Sequence, residues 1–254
     1  MMEFDCALAE WAGTRPCNLL TRSVALVPET LRLSQETRTY LTSEKDAVIT
    51  VALAALGAGG ARSAAGCLAL LQNGLTSSAI PLVRVLAEVE LHIELIEADD
   101  SGVYAARWLE HPPSRIRHLF GKRSAYDALH YRYLSKFSHA DNSLASDLHE
   151  TLERHKGAWS LLEEGAERDT AALLVSLYAA RISKLMFSSG FRALEVVVGD
   201  HAEVEAERLQ DLARLSRFLL EELTETLDQI DELARSSFDA ADVEAAVAWF
   251  RANA

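Results

Sequence analysis

Apolar residues recur every three or four positions along nearly the whole chain, the period of helices that each bury one stripe. No Asn-Gly or Asp-Gly pair joins two alternating runs, so no hairpin is predicted. The pattern predicts an all-α fold, a helical bundle with a C-terminal helical extension. A short helix is expected at 30–40, after Pro28. Ser43, followed by Asp46, reads as the N-cap of a long helix that stops at Asn73 and Gly74. Further helices are expected at 78–98, 103–110, 124–139, 143–155, 169–189, 203–234 and 239–252. LEVVVGD at 194–200 has the composition of an isolated strand without a partner. The implied organisation is an N-terminal helical segment at 1–42, a helical core at 43–155, and C-terminal helices at 156–254 that pack on the core or dimerise.

Three of these helices carry more information. Residues 47–71 are almost all apolar or small, which makes the run the transmembrane candidate of the chain. Arg62 falls near its middle, where a charge costs about 2.5–3.5 kcal/mol on insertion scales, so a core helix is expected and no membrane partner. Gly57, Gly59, Gly60 and Gly66 either break this helix or admit a close neighbour, and close packing is the expectation. In 78–98, Leu82, Leu86, Val89, Ile93 and Ile96 form one stripe, Glu90, Glu94 and Glu97 a solvated side, and Arg84, Glu88, Leu91 and Leu95 a second inward face. Arg84 and Glu88, spaced i,i+4, are then either a structural ion pair partly inside the bundle or the lining of a polar pocket. In 203–234, Leu212, Leu215, Leu219, Leu223, Leu227 and Ile230 make one stripe. At 1.5 Å per residue it spans about 48 Å, long enough to protrude or to pair with a second copy.

Composition agrees with helices: 254 residues, 49% hydrophobic, 7% aromatic, with 5 Pro and 12 Gly. Cys6, Cys17 and Cys67 show neither C-x-x-C nor metal-ligand spacing, and the N-terminus lacks a basic region followed by an apolar run. A reduced, cytoplasmic protein is the expectation. A net charge of -13 argues against a general nucleic-acid coat, yet residues 105–139 hold 7 basic and 2 acidic side chains and four of the eight histidines. That segment reads either as a solvated basic surface or as an anion site, while the acidic C-terminal helices suit a protein partner.

Within YRYLSKFSHAD, Arg132 and His139 are seven residues apart, about 20° short of two helical turns and about 10.5 Å along the axis. Ser135 lies roughly 60° and Tyr131 roughly 100° round from Arg132, so all four share a side. The spacing suits two groups cupping one anion, particularly if a second copy of the helix faces them. No G-x-S-x-G elbow, P-loop, dinucleotide glycine pattern or zinc cluster is present, and Glu88 with His92 is E-x3-H rather than the E-x-x-H of bundle di-metal sites.

Arg132-x6-His139 resembles the Arg-x(4 to 6)-His signature of the HEPN superfamily, all-α bundles that include many dimeric, metal-independent ribonucleases. Gly74, Arg84, Glu88, Tyr131, Leu134, Ser135 and His139 also resemble a bacterial helical family of unknown function with Arg-x3-Glu and Tyr-x-x-Leu-Ser-x3-His motifs, over roughly residues 45–140. The resemblance implies a HEPN-like core at 43–155 and an RNA-cleaving or RNA-binding protein, possible as a toxin or defence component. It implies His139 as general acid or base and Arg132 neutralising charge on the scissile phosphate. Arg84, Glu88, Tyr131 and Ser135 would bind or support, a homodimer would be the working form, and no metal or cofactor is called for. The competing expectation is a non-enzymatic helical interaction protein with an internal Arg84, Glu88, Tyr131 and His139 network.

Overall fold

The computed structural model describes residues 10–111, 127, 134, 161–201 and 206–237. Among these residues every regular element is an α-helix: α1 (Arg15–Arg38), α2 (Glu44–Gln72), α3 (Thr76–Glu97), α4 (Val103–Glu110), α5 (Leu161–His201) and α6 (Ala206–Ser237). Asp127 and Leu134 are helical as well. The helices expected at 143–155 and 239–252 lie outside the described residues.

Helix α1 begins 15 residues earlier than expected. Thr14 caps it and Pro16 sits in its first turn, where a missing N–H costs nothing. Pro28 lies within it on the exposed side, where the lost N–H bond does not break the helix. Helix α2 opens at Ser43, whose hydroxyl accepts from Asp46 N–H at 3.1 Å, and stops before Gly74 at φ 72°. Helix α5 is one 41-residue rod that absorbs both the 169–189 helix and the LEVVVGD stretch. The stretch with strand composition is helical, in keeping with the all-α reading: without a partner, β-branched residues join the helix already running, and Val197 packs in its core.

The register of contacts gives the arrangement. Trp11 meets Asp169 and, at the other end of α1, Ser34 meets Gly190, so α1 and α5 run parallel. A Cβ on Gly190 would stand 3.0 Å from the Ser34 backbone. On α2, Gly57 faces Leu31 and Met186, and Gly60 faces Ile182 and Val89, so α2 lies antiparallel to both. Those two glycines, with Gly66 against Leu82, bear out close packing, whereas Gly59 has nothing within 4 Å. Helix α6 returns antiparallel to α1, tied by Arg15 to Glu232, Arg22 to Glu222 and Glu225, and Arg208 over the Tyr40 ring.

The bundle is thus layered, with α2 and α3 on one side of the α1–α5 pair and α6 on the other. One apolar cluster runs through Leu20, Leu53, Leu86, Leu134, Tyr178 and Ile182. It crosses the boundaries expected at 42/43 and 155/156. The α6 stripe buries Leu212, Leu219, Leu223 and Ile230 against α1 and α5 rather than leaving them unpartnered. Among the described residues two helical stretches are long and apolar enough to cross a membrane, Glu44–Gln72 and Arg168–Val198, so the first run is not alone in this. Most of the second is buried in the bundle, which accounts for its apolarity by its central place.

Candidate functional site

Helix α3 is enclosed along its second half, and this decides the state of its charged residues. Leu86, Val89, Ile93 and Ile96 are buried as the stripe predicts. Glu90, Glu94 and Glu97 do not form a solvated side. Glu90 is 2% exposed, and the Glu97 carboxylate, nearly buried, pairs with Arg192. The reason is that α5 occupies the side of α3 that a single-helix wheel leaves to water.

Arg84 and Glu88 form an ion pair, Nε to Oε1 at 3.0 Å, with both side chains partly buried. Two residues beyond Glu88, Glu90 lies near Arg181 of α5, and Arg181 Nη1 donates to Asp127 Oδ1 at 2.6 Å. Burial works against the charged guanidinium of Arg181, but the Asp127 and Glu90 carboxylates outweigh it and its pKa is raised. Glu90, Arg181 and Asp127 are therefore a charge cluster built into the packed interior.

A second polar group sits where α4 crosses α3. His92 Nδ1 and the Tyr104 hydroxyl share a hydrogen bond of 2.9 Å, and the Trp108 ring stands 6.2 Å from the imidazole. Burial holds the His92 pKa below its ordinary value and pushes the Tyr104 phenol up. Near neutral pH both are uncharged, so the pair can exchange a hydrogen bond but holds no charge. Asp99 holds the start of α4 by accepting from Tyr104 N–H at 2.6 Å.

Of the residues singled out in the sequence, Arg84 and Glu88 are brought together, while Tyr131, Arg132, Ser135 and His139 lie outside the described residues. The pairings that sequence reasoning did not anticipate are those of Arg181 with Glu90 and Asp127 and of His92 with Tyr104. A signal existed for one: Arg181 and Lys184 are the two charges in LLVSLYAARISKLMF, and a cation turned inward in so apolar a run calls for a carboxylate partner. Among the described residues no group of three or more His, Cys, Asp or Glu side chains could hold a metal ion. Cys17 and Cys67 are free and buried, and burial pushes the Cys67 thiol up to about 12, so it is no nucleophile near neutral pH. Compared with known proteins, the chain matches no family model, no curated protein and no solved structure.

Proposed function

We propose that this chain is a HEPN-like, metal-independent RNA-cleaving or RNA-binding protein. In this reading His139 is the general acid or base, Arg132 stabilises charge on phosphate, and Tyr131 and Ser135 stand beside them. The observation that carries it is the charge of the segment in which Arg132 and His139 stand. The surrounding segment, 105–139, has a formal charge of +5 between acidic flanks, which favours an anionic ligand. A cytoplasmic homodimer acting as a toxin or defence component belongs to the same proposal.

The test is incubation of the full chain with mixed RNA in chelator, comparing wild type with His139→Ala and Arg132→Ala. Cleavage that leaves cyclic phosphate ends and falls at least a hundredfold in both variants supports the proposal. Equal cleavage in the variants, or neither cleavage nor retention of RNA by wild type, overturns it.

A second reading is a non-enzymatic interaction protein in which the polar residues only hold the bundle together. The closed Arg84–Glu88 pair, half-buried and already satisfied at 3.0 Å, favours it. The acidic C-terminal helices would then serve a protein partner.

A further inference from the structure

Arg181 of α5 is held from two sides. Its guanidinium carbon stands 5.9 Å over the ring of Tyr178, three positions back on the same helix, and the Glu90 carboxylate acts on it from α3. Tyr178 is wholly buried and Glu90 nearly so, which leaves the cation little room to move. To this fixed cation Asp127 brings its carboxylate, with Oδ1 at 2.6 Å from Nη1. Seven positions later, Leu134 is wholly buried in the apolar cluster that also holds Leu86 and Tyr178. Between His111 and α5 the two described residues are thus both attached to the bundle, one by an ion pair and one by apolar packing.

The two attachments differ in kind. Apolar burial has no preferred direction, so Leu134 keeps its chain neighbours close without fixing how they are turned. The ion pair is directional, because the Asp127 oxygen must lie along one N–H of a planar fork. It adds little to stability, since desolvation of both charges offsets most of their attraction and two apolar side chains would serve the core as well. Arg132 stands five positions after Asp127 and two before Leu134 in the sequence. Two residues of chain reach at most about 7 Å, so Arg132 is tied to a buried point, and Arg181 governs the other end of the same short stretch.

We infer that Arg181 is a positioning residue: acting through Asp127, it fixes the placement of the 127–134 stretch on α5, and with it the direction in which Arg132 is offered to an anion. A misplacement of about 1 Å costs on the order of a hundredfold in rate, so a pair that adds little stability can still govern activity. The placement rests on the contacts of Arg181; its consequence for RNA rests on the function proposed above.

The test compares the full wild-type chain with Arg181→Lys, Arg181→Met and the apolar pair Asp127→Leu with Arg181→Met. Hydrogen exchange read by mass spectrometry follows peptides covering 127–139 against peptides of α1, and cleavage of mixed RNA in chelator gives kcat and KM. In the double variant the urea midpoint and the exchange of α1 are expected to stay close to wild type. Its exchange over 127–139 rises about tenfold or more, and kcat falls about tenfold or more with KM within about twofold. Arg181→Lys, which keeps the charge and loses the fork, is expected between wild type and Arg181→Met in both readouts, and it decides the question if the double variant does not fold. Where the wild type retains RNA without cleaving it, Kd takes the place of kcat. Exchange over 127–139 unchanged in the Arg181 variants, or raised with kcat unaltered in an active protein, overturns the inference. A wild type that neither cleaves nor retains RNA overturns the RNA reading instead, and the exchange arm then decides the placement by itself.

Discussion

Arg181 donates through Nη1 to the carboxylate of Asp127 at 2.6 Å, across 54 positions of sequence, and the acid side chain is only 6% exposed. Removing one member leaves the other charged and largely out of water. Asp127→Ala is expected to lower unfolding free energy by about 3 kcal/mol, whereas the apolar double substitution Asp127→Leu with Arg181→Met recovers most of that loss. Urea unfolding of the three variants checks this; a double variant as unstable as the single one would show that the pair does more than neutralise itself.

The pair of glycines Gly190 and Gly59 gives opposite expectations for the same change. At Gly190 a methyl would meet the Ser34 backbone at 3.0 Å, and backbone cannot rotate away. Overpacking costs typically about 1–3 kcal/mol against about 1 kcal/mol gained in helix propensity, so Gly190→Ala is expected to destabilise. Gly59 has open space, and Gly59→Ala is expected to stabilise by about 0.5–1 kcal/mol. Denaturant midpoints measured side by side distinguish the two signs.

Thr226 of α6 is wholly buried and its hydroxyl has no hydrogen-bond partner among the described residues. Thr226→Val keeps the shape and removes the stranded polar group, with an expected gain of about 1 kcal/mol. A loss in Tm instead would reveal a partner for this hydroxyl.

Burial lowers the His92 pKa from its ordinary 6.5, so the unfolded chain binds this proton more readily than the folded one. The stability linked to His92 is full above pH 6.5 and is lost as pH falls from there through the lowered folded value. Within that window the slope approaches about 1.4 kcal/mol per pH unit for one proton. His92→Gln is expected to flatten the profile of unfolding free energy between pH 7 and the acid limb, and an unchanged slope would assign it to other groups.

The helices on either side of Gly74 were legible because their signals are local. Ser43 caps one as its spacing predicts, Gly74 adopts the positive φ that ends it, and α4 occupies the span expected. The early start of α1 and the length of α5 were not legible. Pro28 and LEVVVGD are local arguments against helix, and both are overruled by a neighbour: α1 and α5 pack along each other, and that burial outweighs propensity.

By itself the sequence determined the helical class, the caps, the buried stripes of α3 and α6, and the Arg84–Glu88 pair, since each depends on groups within about two turns of one another. Only the tertiary structure decided that Glu90 and Glu97 face inward, that Arg181 reaches Asp127, and that Arg168 is buried against the Trp11 ring. A helical wheel tells which residues share a face, but whether that face meets water or another helix depends on long-range packing, and the electrostatics follow from that choice.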